Sequence, residues 1–169
     1  MIARYLQGNL LTDLWDISDR VIFNGAFKKK WVCPVVIFFI MDDNTLGEYR
    51  EGCITINMNY LLQFHNSPAE TLQNIIEVLL HEMVHCYNEQ ILKREDTTKT
   101  GYHTKIFKEQ AEKRGLICRT LNKKLGYSHT ELQTDACNRI LDNMSEHAWK
   151  VLTMKAQKEE YYMLRERGS

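Results

Sequence analysis

The most constraining pattern in the chain lies between residues 67 and 90. Ser67-Pro68-Ala69-Glu70 opens it, with a serine able to cap, a proline suited to a first helical position and a glutamate that closes a capping box. Apolar residues then recur at helical spacing. With His81 at zero and about 100° of turn per residue, Leu72, Ile75, Ile76, Leu79, Leu80, Met83, Cys86 and Tyr87 fall on one side. Asn74, Val78, Glu82, His85 and Asn88 fall on the side of His81. A helix so patterned buries its first face in a core. On the other face it presents two histidines in positions i and i+4.

That spacing has chemical content. Two imidazoles one helical turn apart can meet a single zinc ion. A glutamate directly after the first histidine sits beside the metal rather than on it, placed to accept a proton from a water there. His81-Glu82-Met83-Val84-His85 therefore marks His81 and His85 as metal ligands and Glu82 as a general base. Core histidines would sit among the apolar residues, and neither of these does. A catalytic zinc also needs a third protein ligand and an open position. The metzincin extension is absent, because Asn88 and Ile91 stand where its glycine and histidine would be. His103, His129, Glu109, Glu112 and Glu131 are the candidates. His103 leads them, since the polar stretch 93–101 lets the chain reverse and His103 begins the next helix. Tyr102 and His129 are candidates for stabilising an oxyanion, with a structural role as the default for each.

The remaining pattern predicts an α+β domain. An amphipathic helix is expected over 6–23, its start delayed by Gly8, followed by an Asn24-Gly25 turn and a basic loop, Lys28-Lys29-Lys30. Residues 32–40 read as a buried strand, Asp42-Asp43-Asn44 as a turn, and 47–50 and 53–58 as two further strands. Residues 104–114 are expected to form a helix stopped by Gly115, and 116–127 to be irregular with room for a short strand. From Thr134 the chain is helical, with a break near Ser145 and a fresh helix to about Arg165. The expected architecture is a small, mainly antiparallel sheet flanked by helices, with a zincin-type active-site helix. A core domain would span 1–132 and a C-terminal helical extension 133–169.

Composition narrows the partners. Lys+Arg and Asp+Glu both number 22, so a net charge of zero leaves only local patches to attract an electrostatic partner. The longest apolar run, 31–41, is too short for a membrane helix, and the N-terminus lacks a signal core. The 5 cysteines are odd in number, with no Cys-x-x-Cys pair, which disfavours both a disulfide framework and a zinc ribbon. Reduced, buried thiols in a monomeric cytoplasmic protein without membrane association are expected. His65 and His147 read as surface or packing residues. Trp149, Leu152, Ala156 and Met163 read as core packing or a partner helix.

His81-Glu82-Met83-Val84-His85 followed by Gly101-Tyr102-His103-Thr104-Lys105-Ile106-Phe107-Lys108 resembles the SprT/Spartan family of zinc metallopeptidases. That family pairs a His-Glu-Met-x-His helix with a later Gly-His-Gly-x-x-Phe/Trp segment that supplies the third ligand. Ala111-Glu112-Lys113-Arg114-Gly115-Leu116 is similar to the stretch that follows, and the resemblance covers roughly residues 6–132. Two positions depart from the pattern. Tyr102 separates Gly101 from His103, and Thr104 replaces a glycine that a capping threonine would make dispensable. The cysteine zinc ribbon of many bacterial relatives is missing too.

The resemblance implies zinc on His81, His85 and His103, with Glu82 as the base of an endopeptidase that takes protein or peptide substrates. It also implies action on DNA-associated or DNA-crosslinked proteins. Single-stranded DNA is then a candidate partner for Lys28, Lys29, Lys30 and Trp31 together with Lys105, Lys108, Lys113, Arg114, Arg119, Lys123 and Lys124. Two alternatives stand beside this reading. One is a zinc-stabilised nucleic-acid- or protein-binding module without peptidase activity, against which Glu82 argues, because a structural site needs no base. The other is a peptidase with Glu109 or Glu131 as third ligand.

Overall fold

A computed structural model describes residues 2–39, 45–57, 68–120, 126–127 and 129–144. Helix α1 (Ile2–Val21) runs through Gly8 instead of starting after it. One interior glycine costs only about 1 kcal/mol relative to alanine, which a helix of this length absorbs. Asn24 (φ 56°) and Gly25 (φ 69°) make the expected turn. A short helix α2 (Ala26–Lys29) then replaces the expected basic loop. Its cause is Asp19, a buried carboxylate whose two oxygens accept the backbone N–H groups of Phe27 and Lys28, each at 3.1 Å. These are free donors of a helix N-terminus, satisfied from a distant side chain.

Strands β1 (Val35–Phe39), β2 (Gly47–Arg50) and β3 (Cys53–Asn57) form one sheet in the order β1-β3-β2. β2 and β3 pair antiparallel through a two-residue turn at Glu51 (φ 51°) and Gly52 (φ 78°), the positive angles of a type I′ hairpin. β1 runs parallel to β3, with Val35 opposite Cys53. The sheet is therefore mixed, not mainly antiparallel. The tight hairpin occupies one edge of β3 and leaves β1 the other. Two chain reversals separate β1 from β3, so both point the same way.

Helix α3 (Pro68–Cys86) follows and widens into a π-helical turn, Tyr87–Leu92, which Lys93 ends in a left-handed conformation (φ 55°). Helix α4 (Lys105–Glu112) is next, then strands β4 (Leu116–Arg119) and β5 (His129–Leu132), an antiparallel pair, and helix α5 (Thr134–Leu141). β5 escapes sequence reading because His129-Thr130-Glu131-Leu132 contains one apolar residue.

Helix α3 is the centre of the molecule. Leu72, Ile75, Ile76, Leu79, Leu80, Met83 and Cys86 bury its apolar face in the core with Leu14, Phe27, Ile54, Ile56, Phe107, Leu116 and Ile140. Val78 and Val84 are buried as well, so the face carrying the histidines is itself partly roofed, by β2 and β5. The guanidinium of Arg114 lies 3.8 Å over the Tyr87 ring and 4.8 Å over Phe23, pinning the π-helical turn to the end of α1.

Among the described residues no helix is long and apolar enough to cross a membrane. The five cysteines are unpaired. Cys86 and Cys137 are buried, and Cys33 is exposed, contrary to the expectation of burial. Ser67, the Asp42-Asp43-Asn44 turn, Met58, His65, Lys123, Lys124, His147, Trp149, Leu152, Ala156 and Met163 lie outside the described residues, as does the expected helix beyond Ser145.

Candidate metal centre

His81 and His85 leave α3 on the same side, one turn apart. His103 reaches them from the chain that returns after the π-helical turn. Its Nε2 lies 3.0 Å from His81 Nε2 and 2.9 Å from His85 Nε2. One nitrogen from each ring falls within 4.8 Å of the others. Phe107 packs against all three rings, with centroids 4.3 to 4.7 Å away.

The far side of each α3 histidine is engaged. His81 Nδ1 lies 3.1 Å from Thr130 Oγ1, and His85 Nδ1 donates to Asp96 Oδ2 at 2.9 Å. Both bonds turn the Nε2 atoms inward. His103 is held differently. Its Nδ1 has no hydrogen-bond partner among the described residues, but its backbone bridges Thr97 on one side and Gly126 on the other. Thr104 then caps α4, its hydroxyl accepting from Ile106 N at 3.2 Å, so threonine serves where the resemblance leads one to expect glycine.

Gly126 has a specific reason to be glycine. It sits at φ +62°, and a Cβ there would meet the His103 carbonyl oxygen at 2.5 Å. Gly126→Ala is expected to push the His103 backbone away and weaken metal binding roughly 10-fold or more, the scale on which supporting residues act. Competition with a chromophoric chelator measures this, and unchanged affinity would refute the contact's importance.

The donor set fits a divalent cation. Burial, then the neighbouring imidazoles, hold His81 well below its usual pKa; burial and His85 bring His103 down to about 4. His85 is also pushed down by burial, but the Asp96 hydrogen bond and the Glu82 and Asp96 charges outweigh this and raise it. Near pH 7 His81 and His103 are thus neutral. One proton on His103 Nε2 can satisfy only one of its two neighbours, whereas a cation shared by the three rings would satisfy all of them.

Glu82 sits beside this triangle, only 6% exposed. Burial pushes its carboxyl up to about 7; Glu48 and Asp96 add to the rise, while His85 and a hydrogen bond from the Tyr49 backbone N–H oppose it. Its neighbour Gly47 lets β2 come this close. A Cβ at Gly47 would lie 2.5 Å from Val78 Cγ1 and 3.2 Å from Glu82 Oε1. Between β2, the α3 histidines and the loop 93–103 opens a cleft of about 960 Å³, lined by His81, Glu82, His85 and His103.

The other candidate residues are engaged elsewhere. Glu109 and Glu112 face Lys105 and Lys108 along α4, and Glu131 pairs with Arg119 and His129 on the β4–β5 ribbon. Neither His129 nor Tyr102 is among the residues lining the cleft. Cys86 is buried on the core side, its thiol pushed up to about 12 by burial.

The second basic stretch is also altered by the fold. Arg114 is 9% exposed under its aromatic partners, and Lys105, Lys108 and Arg119 each pair with a carboxylate. Lys28, Lys29 and Lys30 remain exposed beside Trp31, which is 95% exposed. Asp96, Thr130, Gly47 and Gly126 were not identified from sequence. Asp96 lies in a polar loop, and the other three carry no local signal. Comparison with models of protein families, with curated proteins and with solved structures yields no match.

Proposed function

We propose that this chain is a zinc-dependent metalloendopeptidase of SprT-like type. The observation that carries the reading is the convergence of His81, His85 and His103 beside the buried carboxylate of Glu82 at the wall of an open cleft. A site with three nitrogens and an adjacent base suits hydrolysis better than a structural centre, which fills its fourth position with a protein ligand.

Zinc, when bound, supplies a Lewis acid that acidifies water and polarises a carbonyl. The protein's own groups do the rest. Glu82 takes a proton from the attacking water and returns it to the leaving amine, while the Tyr49 N–H orients its carboxylate. Thr130 and Asp96 fix two of the rings. Among the described strands β2 pairs with β3 along one edge only, and Gly47, Glu48, Tyr49 and Arg50 of β2 line the cleft. An extended peptide can add there by main-chain hydrogen bonding.

The proposed substrates are proteins, including DNA-associated or DNA-crosslinked ones, and single-stranded DNA is the proposed partner. What supports the DNA reading is the exposed Trp31 beside Lys28, Lys29 and Lys30, a stacking surface with adjacent charge. The deciding experiment is metal analysis combined with casein cleavage, with and without single-stranded DNA over a salt series. Zinc near one equivalent with chelator-sensitive cleavage is expected. A protein without zinc and without cleavage rules the reading out, and a rate indifferent to DNA at every salt concentration removes the DNA partner alone.

A further inference from the structure

Asp96 is buried, 7% exposed, in the middle of a polar surface loop. Among the described residues its only ion-pair partner is His85. Lys93 and Arg94 stand close by in the chain, yet neither pairs with it, and neither is buried. With neither lysine nor arginine beside it, a carboxylate withdrawn from water depends on the groups it does touch, His85 first among them.

Those groups all belong to the centre or to its scaffold. Oδ2 accepts from His85 Nδ1 at 2.9 Å and from Asn88 Nδ2 at 2.7 Å. The Asp96 backbone carbonyl accepts from Thr104 N at 2.8 Å, at the cap of the helix that follows His103. Thr97, the next residue, forms the bridge to His103 itself.

Asn88 is equally telling. It is 0% exposed and sits in the π-helical turn, where its carbonyl accepts from Arg94 N at 2.9 Å and so launches the loop. Its amide nitrogen is committed to Asp96, while its Oδ1 finds no partner among the described residues. A helix end serving packing alone would place an apolar residue there, because a buried unsatisfied acceptor costs about 1–3 kcal/mol.

We propose that Asp96, held by Asn88, is the positioning residue of the metal centre: its side chain orients His85 and its backbone seats the segment that delivers His103. One loop residue thereby sets two of the three ligands. The proposal rests on the metal-centre reading above. It assigns Asp96 no contact with substrate. A cation held by His85 would polarise the ring, strengthen its Nδ1–H bond to the Asp96 carboxylate and help to compensate the buried charge.

The test is zinc affinity of the full chain, measured by competition with a chromophoric chelator, alongside thermal melts of the metal-free forms. Asp96→Ala is expected to bind zinc roughly 10–100-fold more weakly, and Asp96→Asn, which retains an acceptor, to recover part of that loss. Asn88→Ala should weaken zinc in the wild-type background and add nothing in Asp96→Ala, the signature of two residues acting in series. A merely structural role would lower the metal-free melting temperature and leave zinc affinity untouched. If Asp96→Ala does not fold, Asn88→Ala decides, since it frees the carboxylate without removing it. Wild-type zinc affinity in both alanine variants overturns the proposal, whereas a wild-type chain that takes up no zinc overturns the metal centre itself.

Discussion

Glu82→Gln is expected to retain its zinc and to lose cleavage by roughly 10²–10⁴-fold, the range that positioned general bases contribute. The substitution is isosteric. The new amide oxygen can still accept the Tyr49 N–H that orients Glu82, and the three imidazoles are untouched, so metal content separates a lost base from a lost site. Cleavage that survives the change assigns the base elsewhere.

The same pair of proteins carries a pH signature. The Glu82 carboxyl, raised to about 7 by burial, favours its protonated form in the folded, metal-free chain. Its contribution to stability is complete below the unfolded value of about 4.5 and is lost as pH rises through about 7. The amide of the variant does not ionise. Metal-free Glu82→Gln should therefore match wild type near pH 4.5 and exceed it at pH 8, by up to about 3 kcal/mol. His103 works the opposite way. Its pKa, lowered to about 4, stabilises the fold above about 6.5 and ceases to do so as pH falls to about 4. Because both proteins share His103, subtracting their melting curves removes its contribution and leaves that of Glu82 together with its charge coupling to His85. A difference that does not grow with pH refutes the raised carboxyl.

His103→Ala is expected to strip the centre, with a loss of zinc affinity exceeding the roughly 10–100-fold that supporting residues contribute. His81 and His85 would remain as a two-nitrogen site, and the nearby carboxylates are spoken for. Asp96 is bound to His85 and Asn88, and Glu109 faces Lys105. Glu109→Ala and Glu131→Ala should accordingly keep full zinc content after dialysis. Zinc retained by His103→Ala and lost by either glutamate variant would transfer the third-ligand role.

The helical register of residues 68–86 could be read directly, because apolar periodicity is written in consecutive positions and needs no distant partner. So could the strands β2 and β3, from their short alternating runs, though not their pairing through Glu51-Gly52. The parallel pairing of β1 with β3 could not, since strand partners are chosen by which edge of a sheet remains free. Neither could α2, which exists because Asp19 reaches its first N–H groups. Arg114 reads as a surface cation in sequence and lies under two aromatic rings in the fold.

The centre divides along the same line. Residue order alone was enough to put His81, Glu82 and His85 on one side of an apolar helix and to rank His103 first for the third position. That His103 meets them is a matter of long-range folding: it lies 18 positions from His85 and is held by backbone bridges to Thr97 and Gly126. So is the placement of Asp96 and Thr130, the latter 49 positions from His81, behind the rings. A ligand's presence on a helix face follows from local geometry, whereas its orientation depends on hydrogen bonds from segments that the folded core brings together.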